Sequence, residues 1–220
     1  MLHMDFNSLL EKYGITKRNG IIHVGGNRGE EIPQYKDLGF QRILVFEPMK
    51  HSFDVIPNES GVYKINAAVG DTNGKIKMYV SELTNPDGSL NIGESASILK
   101  PKKHLTAYSH VKFYSETQEV DIVSLDSWFL TTSTGLSPTD FSCMVLDVQG
   151  YEAQVILGAQ DLMKNIDCVY AEIAITEIYE NNTHAYYLQD LLLEHGFVMR
   201  EYWLDLHGSG EAIFVRKNIQ

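Results

Sequence analysis

Short apolar runs alternate along this chain with segments whose apolar residues recur at helical spacing. Ile21-Ile22-His23-Val24, entered from the turn pair Asn19-Gly20, predicts a first strand. Arg42–Phe46 and Val62–Asn66 predict two more, and the near-continuous apolar character of the former predicts cover on both faces. Glu119–Ser124, Phe141–Asp147 and Asp167–Ile173 continue the series. Between them, Asn27–Leu38, Tyr151–Lys164 and Thr183–His195 predict helices. Glu30 and Glu31 fall in the first turns of the first helix, where negative charge suits the dipole, and Pro33 is tolerable only within that first turn. Gly196 suits the residue just past the end of the last helix. Phe197–Trp203 and Ala212–Arg216 predict a closing antiparallel pair. Strand–helix alternation of this kind predicts an α/β fold: a doubly wound, mostly parallel sheet with right-handed crossovers and one antiparallel strand.

Two segments depart from the rhythm. Lys75–Val80 alternates polar and apolar residues, as a half-exposed edge strand does. Residues 81–117 then show little regular pattern. Thr84-Asn85-Pro86-Asp87-Gly88-Ser89 is turn chemistry, and Lys100-Pro101-Lys102-Lys103-His104 is a local basic cluster. The reading is a single domain over 1–220, with an N-terminal helical segment at 1–18 and an inserted lid or substrate loop at 81–117.

Composition narrows the function. The 220 residues carry 18 Lys and Arg against 29 Asp and Glu, a formal charge of −11. Such a balance disfavours nucleic acid and anionic membrane surfaces as partners. At 44 % hydrophobic and 10 % aromatic residues the chain can bury a core. Met1-Leu2-His3-Met4-Asp5 has no basic stretch followed by an apolar one, so no signal peptide is expected, and no run approaches the ~18 apolar residues of a membrane span. A cytoplasmic location is expected. The two cysteines, Cys143 and Cys168, lie in apolar runs with no His or Cys at metal-ligand spacing, so no metal site is expected. A disulfide between neighbouring strands is one reading, and two reduced core thiols are the favoured one.

Ligands of open α/β sheets bind beyond the carboxyl ends of the strands, so the residues leaving each strand are the candidates. The first strand leaves through Gly25-Gly26-Asn27-Arg28-Gly29, a turn that lets backbone approach a ligand, although its spacing is not the dinucleotide pattern. The second leaves through Glu47-Pro48, a carboxylate at the spacing of a ribose-diol acceptor. The third leaves through Asn66-Ala67-Ala68-Val69-Gly70, small residues that suit a slot for a planar ring. Asp147, at the tip of the strand from Phe141, could orient a substrate hydroxyl or take its proton; alternatively it caps the next helix. Glu172 is a second acid on that rim.

Five ordered motifs together resemble the FkbM family of S-adenosylmethionine-dependent O-methyltransferases. They are Ile22–Gly29, Val45–Pro48, Val123–Asp126, Leu146–Glu152 and Tyr170–Glu172, and the similarity runs from about residue 20 to Lys217, through Gly196-Phe197 and Ala212–Arg216. The resemblance implies a class I methyltransferase, Rossmann-like sheet of order 3-2-1-4-5-7-6 with strand 7 antiparallel. It implies a cofactor, S-adenosylmethionine, over Gly25, Gly26, Asn27 and Gly29, with its ribose on Glu47 beside Pro48; Asn66, Ala67 and Asp147, from their strand ends, are further candidate cofactor contacts. Two residues depart from the pattern: His23 stands where the family usually has an acid, and Gln149 where it usually has Glu.

The leading expectation is an O-methyltransferase acting on a hydroxyl of a saccharide or natural-product metabolite. Asp147 and His23 are its candidate catalytic residues, with His104 an alternative base; Gln149, Glu152, Glu172, Lys100 and His104 are its candidate substrate contacts. Lys100, Lys102 and Lys103 could attract an anionic or glycan substrate, or form a solvated basic turn. The alternative is a non-catalytic module that keeps the S-adenosylmethionine pocket. A nicotinamide dehydrogenase is disfavoured by the glycine spacing. A homo-oligomer is left open.

Overall fold

The computed structural model describes residues 4–84, 88 and 90–219. The turn residues Asn85, Pro86, Asp87 and Ser89, and the opening Met1-Leu2-His3, lie outside them. In chain order the elements are α1 (Phe6–Lys12), β1 (Gly20–Val24), α2 (Ile32–Asp37), β2 (Arg42–Phe46), α3 (Lys50–Val55), β3 (Val62–Ile65), β4 (Ala68–Val69), β5 (Gly74–Thr84) and β6 (Leu90–Ile92). They continue with α4 (His104–Ala107), β7 (Val111–Val123), α5 (Leu125–Thr131), β8 (Cys143–Leu146), α6 (Glu152–Leu157), β9 (Cys168–Ala174), α7 (Ala185–Glu194), β10 (Phe197–Leu204) and β11 (Ser209–Arg216).

The main sheet runs β3-β2-β1-β8-β9-β11-β10. Its first five strands are mutually parallel, and β11 lies antiparallel to both β9 and β10. Numbered along the chain within this sheet alone, the order reads 3-2-1-4-5-7-6. Burial on both faces explains the apolar runs: all of β1 and β8 is buried. Successive side chains serve opposite layers. Ile22, Leu44, Met144 and Val169 pack with Leu125, Trp128, Ile156 and Leu188 of α5, α6 and α7. Ile21, Ile43, Cys143 and Cys168 pack with Phe6, Leu10, Ile32 and Tyr35 of α1 and α2. Cys143 and Cys168 face each other across β8 and β9 as free, buried thiols. Among the described residues no helix is long and apolar enough to cross a membrane.

Three elements differ from their expected extents. The helix expected over 27–38 starts at Ile32, with Pro33 in its first turn, Glu31 at its N-cap and Glu30 ahead of it. Asn27 and Gly29 have φ of 42° and 76°, and left-handed residues cannot propagate a right-handed helix. The helix expected over 151–164 breaks after Leu157. Asp126 holds the break: its N–H donates to Gly158 O, and its carboxylate accepts from the N–H groups of Asp161 (2.9 Å) and Leu162 (3.0 Å). A Cβ on Gly158 would stand 1.9 Å from Gly70 O, so the break also sits at a backbone contact that only glycine permits.

The third difference matters most for the site. Residues 81–117 are not a structureless insertion. β5 extends to Thr84, β7 begins at Val111, and the two form the centre of a second sheet, β4-β7-β5-β6. Lys75–Val80 therefore belongs to that sheet and not to an edge of the main one. The second sheet has its own small core of Met49, Ala68, Met78, Val80, Ala96 and Ile122, placed beside the ends of β2 and β3.

Candidate active site

The tips of β1, β2 and β8 are tied by backbone. The N–H groups of Gly25 and Gly26 both donate to Phe46 O, at 2.9 and 3.1 Å, and Asp147 N–H donates to Val24 O at 2.9 Å. Gly25 has φ +85°, and a Cβ there would lie 1.8 Å from Asp147 O. Only glycine lets the two tips approach this closely.

Glu47 ends β2 almost wholly buried. Its carboxylate accepts from Asn27 N–H at 2.9 Å and from Met49 N–H at 2.7 Å. Burial pushes its pKa up to about 8, against the pull of those two amides. Asn66 donates to the carbonyls of Glu47 (2.8 Å) and Pro48 (3.0 Å), so it fixes the turn that aims the carboxylate.

A cavity of about 240 Å³ opens above these tips. His23, Gly25, Asn27, Glu47, Pro48 and Asp147 line one part of it, and Ala67, Met78, Ala96 and Ile98 make an apolar part. Among the described residues, His23 Nε2 and Asn27 Oδ1 are buried with no hydrogen-bond partner. Burial lowers the His23 pKa, which keeps the ring neutral. Buried polar atoms normally have partners, so these two mark a place for a ligand with polar groups.

A second cavity, of about 480 Å³, shares Glu94, Asp147 and Gln149 with the first. His104, Tyr108, Glu172, Trp203 and Asp205 also line it. Asp147 is exposed at the junction. It does not cap α6, whose N-cap Tyr151 has no side-chain cap bond. Gln149 joins it to Glu172: Gln149 Nε2 donates to Asp147 Oδ1 at 2.7 Å and to Glu172 Oε2 at 2.8 Å. Tyr179 donates to Gln149 Oε1 at 2.9 Å, which orients the amide so that it can serve both acids. Burial and the charges of Asp147 and Glu152 hold the Glu172 carboxyl well above the usual range. His104 is neutral, with its pKa pushed down to about 4 by burial.

The structure thus brings Asp147 and Gln149 to both cavities, His23, Gly25, Asn27, Glu47, Pro48 and Ala67 to the first, and Glu172 and His104 to the second. Gly26, Gly29 and Asn66 support the turns without lining either cavity. Buried Glu152 accepts from Gly150 N–H at 3.0 Å beneath the site. Lys100 reaches neither cavity; it pairs with Glu180 at 3.0 Å. Lys102 pairs with Glu177, and Lys103 donates to His207 O at 2.8 Å. The basic cluster is therefore spent on holding neighbouring loops. Sequence reasoning missed Met49, just past the Glu47-Pro48 turn, and Met78, on the strand it read as an edge; it also missed Glu94 and Tyr108, in the stretch it read as a loop, and Trp203 and Asp205, in or beside the closing hairpin.

Because Gln149 donates to two acids, Gln149→Glu would set a third carboxyl between them and remove both donors. The expected result is a melting temperature below wild type, with a deficit that widens from pH 5.5 to pH 8 as Glu172 and the introduced carboxyl ionise. Differential scanning fluorimetry across that range checks it.

The model of the methyltransferase FkbM domain matches residues 23–199. The 2-O-methyltransferase NoeI of Sinorhizobium fredii is 29 % identical over 197 residues, spanning 87 % of this chain and 76 % of that protein. Among solved structures, the magnesium protoporphyrin IX methyltransferase of Synechocystis with bound SAM aligns over 96 % of this chain and 77 % of its own at 8 % identity, with a TM-score of 0.48. The ribosomal protein L11 methylase of Lactobacillus delbrueckii aligns over the same shares at 10 % identity, with a TM-score of 0.49.

Proposed function

The chain belongs to the FkbM family of S-adenosylmethionine-dependent methyltransferases, and from that premise we propose that it methylates a hydroxyl oxygen of a saccharide or similar hydroxyl-rich metabolite. The observation that carries this reading is the pair of cavities meeting at Asp147 and Gln149, one suited to the cofactor and the other to the acceptor. The likeness to a 2-O-methyltransferase supports oxygen as the target atom.

When bound, S-adenosylmethionine supplies an already activated methyl group, so this chain's residues need to bind, orient and exclude water. Glu47 would accept the ribose hydroxyls with the lone pairs that Asn27 and Met49 leave open. Ala67, Met78, Ala96 and Ile98 would take the adenine ring. Asp147 would accept a hydrogen bond from the acceptor hydroxyl and receive its proton, with Gln149 holding Oδ1 and leaving Oδ2 for the substrate. Tyr108 and Trp203 line the second cavity, and Glu94, His104 and Ser95 of the second sheet and its connections line it too. Among the described residues the charged side chains lining the second cavity besides histidines are acids, which favours an acceptor without an anionic group.

The proposal is tested with S-adenosylmethionine labelled with ¹³C at the methyl group and a panel of neutral, anionic and amino-bearing oligosaccharides. An O-methyl carbon resonance in a neutral member is the expected result. Labelled methyl on nitrogen or carbon alone would count against oxygen as the target.

Burial of Glu47 gives a pH dependence whose sign can be worked out. Its carboxyl ionises near pH 4.5 when exposed and near 8 in the fold, so between those values the folded protein holds a proton that the unfolded chain has released. The ligand-free protein should therefore lose stability as pH rises from about 5 to 8. Ligand binding that uses the ionised carboxylate runs the other way and should tighten by up to about tenfold per unit below pH 8. The thermal shift produced by S-adenosylhomocysteine should thus grow with pH in wild type and stay flat in Glu47→Gln.

A further inference from the structure

His23 stands near the end of β1, 4 % exposed, and lines the first cavity. Its Nδ1 lies 3.1 Å from the hydroxyl of Tyr35 on α2, a residue with no exposed surface. That hydroxyl has no other hydrogen-bond partner among the described residues. A buried O–H left undonated costs more than an unfilled oxygen lone pair, so Tyr35 donates and Nδ1 accepts. A neutral imidazole that accepts at Nδ1 carries its proton on Nε2. This is the atom left buried without a partner among the described residues. His23 therefore presents an N–H donor to the cavity and has no free lone pair with which to act as a base, contrary to its expected catalytic role.

A buried donor calls for an acceptor. The amino-acid end of S-adenosylmethionine offers one carboxylate and one ammonium. Among the charged side chains around His23 in this cavity, Glu30 and Asp147 are acids that suit the ammonium and would repel the carboxylate. We propose that His23 Nε2 donates a hydrogen bond to the α-carboxylate of the bound cofactor, and that Tyr35 sets the tautomer that makes this contact. The contact makes the carboxylate tolerable in an acidic cavity and lets the protein discriminate against adenosyl compounds that lack it. This inference rests on the reading of the first cavity as the cofactor site.

Calorimetry with S-adenosylhomocysteine and with its decarboxylated analogue, S-(5′-adenosyl)-3-thiopropylamine, tests it without turnover. Wild type should bind the decarboxylated analogue at least about tenfold more weakly. His23→Leu should weaken S-adenosylhomocysteine binding and leave the analogue nearly unchanged, so that the discrimination collapses, whereas His23→Gln, which keeps a donor, should restore part of it. Tyr35→Phe, a milder change, should shrink the discrimination by releasing the tautomer. Equal binding of both ligands by wild type, or unchanged discrimination in His23→Leu, would overturn the proposal. Failure of wild type to bind either ligand would overturn the reading of the cavity itself.

Discussion

Asp147→Ala lowers methyl-transfer turnover by about 10²–10⁴-fold while changing S-adenosylhomocysteine affinity by only a few-fold, the range for loss of a positioned general base. The split follows from position. Asp147 is an exposed acid at a strand tip where the two cavities meet, and its backbone carbonyl is what approaches Gly25. Removing the carboxylate leaves that backbone contact and the Asp147 N–H bond to Val24 intact. It takes away the group that would accept the hydroxyl proton. It also frees one donor of Gln149, which keeps its bond to Glu172. Single-turnover rates beside calorimetric affinities separate the two effects; turnover that survives in Asp147→Ala would remove Asp147 from the role of base.

Glu47→Ala weakens S-adenosylhomocysteine binding by about 10²-fold, the loss expected when two hydrogen bonds to a charged acceptor disappear. The protein should remain folded but lose order at the turn, because the amides of Asn27 and Met49 lose their shared acceptor. Glu47→Gln separates these effects. It keeps one acceptor oxygen for the backbone and lacks the charge, so its affinity should fall between the two and show no dependence on pH between 6 and 9. A Glu47→Ala protein that binds as wild type does would place the ribose elsewhere.

How much of this was legible depends on how each residue is held. Gly25, Glu47 and Asp147 stand at the ends of strands buried on both faces, and such strands write continuous apolar runs that end where the chemistry begins. The second sheet writes no such signal. Lys112, Tyr114, Ser115, Glu116 and Gln118 of β7 are exposed, so the strand lacks both an apolar run and a clean alternation, and residues 81–117 read as a loop. Its contributions to the cavities, Met78, Glu94, Ala96 and His104, could then be placed only by the pairing of β5 with β7. The charge of Lys100–Lys103 was plain in the sequence, but its partners at Glu177, Glu180 and His207 are distant along the chain. The same holds for Gln149: the residue type was visible, and the two acids and the tyrosine it joins were not.

The central claim is that the cofactor and acceptor sites meet at Asp147. The most direct test is a crystal structure of the protein grown with S-adenosylhomocysteine. The ribose diol should lie on Glu47, the adenine against Ala67, Met78 and Ala96, and the sulfur at the opening between the two cavities beside Asp147 and Gln149. A ligand whose sulfur points away from that opening, or one seated outside the first cavity, would contradict it.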